Sequence, residues 1–364
     1  MIPLADPVFG SAEVEAVTDV LESGMVADGP EVRAFERAFA EHCGVTHAVA
    51  TSNGTTALHT ALTALGIGAG DRVVTTPLSF VASANAIRLA GARPVFADID
   101  PDTYTLDPDA TRDAVRDTDA DAILAVHLYG LPADMASLSD IAATEDVVLI
   151  EDAAQAHGAT YNGESVGTVG DAAAFSFYPT KNMTTGEGGM VLTEDETVAD
   201  RAASFINHGR TGDDSYAHER VGHNFRMTSL AAAIGRVQLD RLPKWVRNRR
   251  ANADTLTDGL RTVDGITTPR EPDGRTHAYH QYTIRTSKRD RLRAALAERG
   301  VDTGIYYPTP IHELAAYQDF DSTAPVAETA AEHVLSLPVH PNLTDAELDR
   351  IVNATRHAAA EIEV

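Results

Sequence analysis

From residue 45 to about residue 200 the chain alternates short apolar runs with stretches of helical periodicity, and that alternation leaves few folds open. RVVTTP, ARPVFADID, AILAVHLYG and VVLIED read as strands, whereas TALHTALTAL, FVASANAIRLA and ADMASLSDIAAT read as helices. Strands joined through helices pair in parallel and need cover on both faces. The sequence therefore predicts an α/β fold, a mostly parallel sheet flanked by helices. Helical periodicity also marks residues 12–23 and 30–42, with a short strand at 48–51. A long helical run from Ser229 to about Leu260, expected to be interrupted near Pro243, leads to a smaller α+β unit. There YHQYTIRT (279–286) reads as a strand and RDRLRAALAERG as a helix ending at Gly300. The expected division is a large domain over residues 1–245 and a small C-terminal domain over 246–364.

In open α/β sheets ligands gather at the carboxyl ends of the strands. VVLIEDAAQAHGA (147–159) runs four apolar residues into Glu151 and Asp152, so a carboxylate is expected at that edge. A strand-end Asp also serves as a helix cap, and the spacing alone does not separate the two roles. SNGTTAL (52–58) opens a helix with an Asn-Gly turn and hydroxyls, which suits a phosphate or an ordinary cap. FSFYPTKN (175–182) carries Lys181, one of only three lysines among 29 basic residues. A lysine amine can lose its proton and form a Schiff base, and a guanidinium cannot. A phosphate cradle, a strand-end acid and an imine-forming lysine match the phosphate, ring nitrogen and aldehyde of pyridoxal 5'-phosphate. Asp152 would keep the ring nitrogen protonated, Phe80 would lie on the ring or simply pack, and Ser176 would add a hydroxyl to the phosphate. GEGG (186–189) follows the lysine, where glycines allow close backbone approach.

These motifs stand in the order found in the DegT/StrS nucleotide-sugar aminotransferases, of the fold-type I class of pyridoxal phosphate enzymes, and the chain resembles that family from about Ile2 to Thr344. The resemblance rests on IPLADP, FERAFAEHCGVTHAVATSNGTTAL, LGIGAGDRVVTTPLSF, GARPVFADIDPDTYTLDP, VHLYG, IEDAAQAHGA, FSFYPTKN, GEGG, GHNFRMTSLAAAIG and LSLPVHPNLT. It implies that Lys181 forms the Schiff base and that Asp152 pairs with the ring nitrogen, with Gln155 near the ring. Gly54, Thr55 and Ser176 would hold the phosphate, and Phe80 would stack. Asn224 would reach the site of a neighbouring subunit, making a homodimer with shared sites the active unit. Arg226 would meet an acidic group of substrate. Tyr306, Tyr307 and His312, in YYPTPIH, would line the sugar pocket or pack the small domain.

The reaction implied is transfer of an amino group from L-glutamate to a keto sugar nucleotide, in amino sugar biosynthesis for surface polysaccharide or glycoprotein glycans. EDAAQAHGA, FSFYPTKN and HGR look most like the subgroup acting on UDP-linked 3-keto N-acetylhexosaminuronic acids; a 4-keto-6-deoxy sugar nucleotide is the alternative. A regulatory relative without turnover would be marked by loss of the lysine, the Asp or the phosphate residues, all of which are present here. No GxGxxG turn follows a strand, and neither HExxH nor a cysteine cluster offers a metal site, Cys43 being the only cysteine.

A formal charge of -25, with 54 acidic residues and pI near 4.8, argues against nucleic acid and anionic membrane as partners. It is the balance expected of a protein working in concentrated salt, where screening quiets the repulsion. MIPLADPVFG lacks the basic start and apolar run of an export signal, so a cytoplasmic enzyme in a halophilic cell is expected.

Overall fold

A computed structural model describes residues 1–211, 216–320 and 322–362. The chain opens with helices α1 (Ser11–Ser23) and α2 (Pro30–Cys43), then enters strand β1 (His47–Thr51) and helix α3 (Gly54–Ala64). Strands β2 (Arg72–Thr75), β3 (Arg93–Phe96), β4 (Ala122–Val126) and β5 (Val148–Asp152) alternate with helices α4 (Ala82–Leu89), α5 (Pro108–Thr118) and α6 (Met135–Glu145). A small hairpin, β6 (Thr160–Tyr161) and β7 (Glu164–Ser165), precedes β8 (Ala172–Ser176), β9 (Gly189–Thr193) and helix α7 (Glu196–Ile206).

The seven-stranded sheet has the order β1-β9-β8-β5-β4-β2-β3. Only β9 runs antiparallel to its neighbours. β4 and β8 are buried along their whole length, as strands covered on both faces must be. The period of two distributes their side chains. Ala173, Phe175, Met190 and Leu192 join Phe35, Phe39 and Phe177 on one face, while Ala172, Ala174 and Val191 join Leu58, Leu62 and Ile150 on the other.

Helix α8 (Ser229–Leu260) starts at Thr228, whose side chain accepts from the Ala231 amide, and continues unbroken through Pro243. The expected interruption there does not occur. Leu239, Leu242 and Val246 bury in the aromatic core on both sides of the proline, and that packing outweighs the lost backbone bond. The expected domain boundary, 245/246, thus lies inside one helix. Beyond it come β10 (Arg275–Thr276), which pairs with β6, then β11 (Tyr282–Arg285), helix α9 (Arg289–Glu298), helix α10 (Pro325–His333), β12 (Val334–Leu337) and helix α11 (Asp345–Ile362). β11 and β12 pair antiparallel, and their Tyr282, Ile284, Leu335 and Leu337 share a core with α9, α11 and the end of α8. Ile2 lies in that same core and bridges to Val301, so the N-terminus is fastened to the C-terminal unit.

The strand expected over 279–286 begins only at Tyr282. The preceding residues are diverted into other bonds: the Ala278 amide donates to Gly130, the Gln281 amide to Tyr129, and Arg249 donates to the Tyr279 carbonyl. Among the described residues no helix is long and apolar enough to cross a membrane.

Candidate active site

Register across the sheet assembles the site. Thr51 and Ser176 both pair with Gly189, so the ends of β1 and β8 and the start of β9 lie in one row. Asp152, at the end of β5, pairs with Ala174 on the adjoining strand. At Gly189 a Cβ would meet the Asn53 carbonyl oxygen at 2.4 Å, which fixes glycine where the row passes under the start of α3.

At that start, Asn53 caps α3. Its side chain accepts from the Thr56 amide, and the Thr56 hydroxyl accepts from the Asn53 amide. The cap leaves the Gly54 and Thr55 amides without an intrachain acceptor among the described residues. Those amides, with the positive end of the helix, form a cradle for an anion. Ser176 faces them closely enough that a Cβ on Gly54 would lie 2.6 Å from the Ser176 Cβ. The cradle is therefore open only because residue 54 is glycine.

Lys181 sits on the loop between β8 and β9, and its neighbours pin that loop. The Lys181 amide donates to the Tyr178 carbonyl at 2.9 Å, and the Thr184 hydroxyl donates to the Phe177 carbonyl at 2.7 Å. Asn182 Nδ2 donates to the Ala278 carbonyl at 3.0 Å. Gln238 on α8 accepts from the Thr184 amide and donates to Glu13 and to the Val8 carbonyl. Burial pulls the Lys181 amine down to about 8, against the opposing pull of Asp152. An amine so placed is a usable base near neutral pH.

Asp152 is buried, with Oδ2 accepting from the Ser83 hydroxyl at 2.7 Å and Oδ1 from the Ala154 amide at 3.2 Å. Burial raises its pKa above the ordinary aspartate value, although Ser83, the Ala154 amide and Lys181 all oppose that shift. Such an acid ionises at low cost only beside a cation, and a protonated pyridine nitrogen is one. Glu151 belongs to the structure. It is fully buried and accepts from His127 Nε2 at 2.8 Å and from the Gly167, Val169 and Gly170 amides at 2.7 to 2.8 Å. The Ala133 amide donates to His127 Nδ1, which places the proton on Nε2.

Gln155 accepts from the Tyr129 amide at 2.7 Å and donates to the Tyr307 hydroxyl at 3.2 Å. The Tyr307 ring stands 5.9 Å from Phe80, whose side chain is 55% exposed. Phe80, Gln155 and Tyr307 thus form one wall, and Tyr306 enters it through its carbonyl, which accepts from the Tyr129 hydroxyl. His312 makes its contacts elsewhere: Nε2 meets Glu328 at 3.1 Å and the ring packs near Phe96. Asn224 is exposed and bridges to Asn207, while Arg226 bridges to Thr51 and donates to the Asn207 side chain. The 224–226 segment therefore runs beside the cradle strand, with Asn224 facing outward.

A sequence profile of the DegT/DnrJ/EryC1/StrS aminotransferase family matches residues 7–356. The chain is a member of this family. It is 39% identical to the dTDP-3-amino-3,4,6-trideoxy-alpha-D-glucose transaminase of Streptomyces venezuelae, over 100% of this chain and 97% of that one. It is 41% identical to a pleiotropic regulatory protein of Geobacillus stearothermophilus, over 95% of both. The solved S. venezuelae DesV structure, in complex with a ketimine intermediate, superposes with a TM-score of 0.93 at 40% identity, covering 96% of this chain and 94% of that one. Other family members are named for GDP-linked and UDP-linked sugars, and a Streptococcus pneumoniae relative is solved in a PLP form. The fold is that of the fold-type I aminotransferases, as the strand and lysine motifs imply.

Within this aminotransferase framework, several residues at the site carried no readable signal in the sequence. Ser83 is one of many serines and gains meaning only when α4 brings it to Asp152. Arg249 is one arginine in the run RNRR until α8 turns it inward. His157 follows Asp152 by five residues, the only local hint that it lies at the same edge.

Proposed function

We propose that the chain moves an amino group from L-glutamate to a nucleotide-linked keto sugar with pyridoxal 5'-phosphate as cofactor. The observation that carries this reading is an amine lowered to about 8, opposite a buried, Ser83-held carboxylate, at the same sheet edge as a glycine-dependent anion cradle. The residues fit the cofactor part by part. The α3 amides and Ser176 would hold its phosphate, Asp152 its ring nitrogen, Phe80 a ring face, and Lys181 its aldehyde carbon. When bound, the cofactor supplies an electron sink and carries nitrogen between the two substrates.

Lys181 takes the proton from the donor's α-carbon as a base. In the second half-reaction it returns a proton to the sugar carbon that receives nitrogen. Asp152 holds a proton on the ring nitrogen by presenting a charge in a site where burial strengthens the pairing. Phe80, Gln155 and Tyr307 orient and cover the reacting side. The likeness to a relative named regulatory does not favour a silent protein, because the lysine, the acid and the cradle are all present.

For the acceptor we favour a UDP-linked 3-keto N-acetylhexosaminuronic acid, made into an amino sugar for surface polysaccharide or glycoprotein glycans, over a 4-keto-6-deoxy sugar nucleotide. The support is the motif set together with a relative named UDP-N-acetyl-3-dehydro-alpha-D-glucosamine 3-aminotransferase in Acidithiobacillus ferrooxidans. The exposed Asn224 supports a homodimer in which it serves the partner's site, and the adjoining Arg226 would meet an acidic group of substrate. The net charge of -25 supports a cytoplasm rich in salt.

The deciding experiment is the absorbance spectrum of the protein with pyridoxal phosphate in concentrated KCl, before and after L-glutamate. Conversion of the visible band to the near-ultraviolet band of pyridoxamine phosphate is expected. A visible band that glutamate leaves unchanged would refute L-glutamate as donor, and no visible band at all would refute Lys181 as the Schiff-base residue.

A further inference from the structure

Several hydroxyls in the helices of this chain turn back on their own backbone: Thr111, Thr118 and Thr355 each donate to the carbonyl four residues earlier. Ser83, in the first turn of α4, does not. Its hydroxyl donates instead to Asp152 Oδ2 at 2.7 Å, 69 residues along the chain, and its Oγ lies 2.9 Å from that of Ser79. An ionised carboxylate only accepts, so the one Ser83 proton lies toward Asp152 and the Ser79 hydroxyl must donate to Ser83. The result is a directed chain, Ser79 to Ser83 to Asp152, whose members are only 3%, 1% and 4% exposed. Out of water such bonds strengthen one another, and the bond to a charge is the strongest of them.

Both serines stand on fixed backbone. The Ser83 amide donates to the Phe80 carbonyl at 3.1 Å, and α4 is held by the Tyr317 hydroxyl, which donates to Asn85 Oδ1 at 2.6 Å. The loop before Ser79 is tied down by the Ile311 amide, which donates to the Pro77 carbonyl at 2.8 Å. Asp152 needs such support, because burial works against its charge and Ser83 gives the largest of the opposing pulls. Besides Ser83, only the Ala154 amide donates to this carboxylate among the described residues. Lys181 pulls as well, but its charge is given up whenever the amine acts as a base. Ser79 adjoins Phe80, so the loop that would cover the cofactor's ring also carries the first hydroxyl of the chain to the ring-nitrogen acid.

We propose that Ser79 and Ser83 are positioning residues, a hydroxyl chain that holds Asp152 ionised and in place and thereby sets how firmly the cofactor's ring nitrogen keeps its proton. This rests on the aminotransfer reading above, which puts that nitrogen at Asp152.

The test is nitrogen NMR of enzyme loaded with pyridoxal phosphate labelled at the ring nitrogen, whose resonance separates protonated from neutral pyridine, together with titration of apoenzyme by cofactor. Ser83→Ala is expected to move the resonance toward the neutral position and to raise the pyridoxal phosphate Kd about tenfold. Ser79→Ala, which leaves the direct bond in place, should move both in the same direction by less. Ser83→Thr keeps the hydroxyl and should retain the wild-type resonance. A hydroxyl that merely packs would alter Tm alone, so a folded Ser83→Ala with the wild-type resonance overturns the proposal. A Ser79→Ala resonance that stays at wild type overturns the two-serine chain, and this variant decides alone should Ser83→Ala fail to fold. Asp152→Asn separates the inference from the reading beneath it. If its resonance matches wild type, the ring nitrogen is not at Asp152 and the cofactor assignment fails; if it moves while that of Ser83→Ala does not, only the hydroxyl chain falls.

Discussion

Lys181 stands out in the sequence because a chain that writes nearly all its cations as arginine kept an amine there, and only an amine can make an imine. Replacing it by alanine removes both the Schiff base and the proton carrier. Lys181→Ala is expected to abolish amine transfer while leaving the fold intact, checked by loss of the visible band in the presence of cofactor and an unaltered circular dichroism spectrum; residual turnover would remove the central role of this residue. Asp152 was legible for a related reason, since it ends an apolar strand. Gly54 was legible only as part of a cap, and the structure adds why no side chain is allowed: a Cβ would stand 2.6 Å from that of Ser176. Gly54→Ala should therefore weaken pyridoxal phosphate binding tenfold or more and lower Tm as well, because the added Cβ presses on Ser176 at the buried end of β8. Titration of apoenzyme with cofactor measures it, and an unchanged affinity would show that the phosphate sits elsewhere. Ser83 was silent in the sequence because its meaning depends on α4 turning it toward Asp152.

At the scale of elements, the period-two and period-3.6 patterns recovered the parallel strands and their covering helices, because burial on both faces dictates those patterns. Pro243 misled, since local propensity counts one lost bond while α8 packs its first part against α1 and α2 and its end in the C-terminal core. The Glu151 clamp was equally hidden. This carboxylate ties β4, through His127, to the loop after β7, through three amides. In Glu151→Gln, either orientation of the amide turns an NH2 toward backbone donors. A loss of about 3 kcal/mol is expected, read from chemical denaturation at pH 7. The pH dependence has a definite sign. Burial pushes Glu151 up, but His127 and the amides pull harder, so its folded value lies below the ordinary one. Its contribution is complete above the unfolded carboxylate's titration, at about pH 4.3, and fades as pH falls through the lower folded value. The gap between wild type and Glu151→Gln should accordingly narrow in acid; a gap that widens there would contradict a depressed Glu151.

The whole molecule carries a burden that no single site explains, a formal charge of -25 on 364 residues. Several surface arginines do meet acids, such as Arg116 with Glu145 and Arg250 with Glu271, but exposed pairs contribute little and cannot balance the excess. Self-repulsion is then strongest at low salt, where the screening length is long, and falls as salt is added. α1 shows the effect in miniature. Glu15, Asp19 and Glu22 are exposed at helical spacing along it, and none joins an ion pair among the described residues. Like charges four apart destabilise a helix by a few tenths of a kcal/mol per pair, so neutralising all three should raise Tm by about 1–2 °C in dilute buffer. In molar KCl, where the repulsion is already screened, the same triple variant, Glu15→Gln with Asp19→Asn and Glu22→Gln, should match wild type. Thermal melts of both proteins across a KCl series give the answer. Convergence at high salt would identify screened repulsion as what concentrated salt relieves in this protein, whereas parallel curves would mean that salt acts on burial generally and that the acidic surface is not what sets its salt requirement.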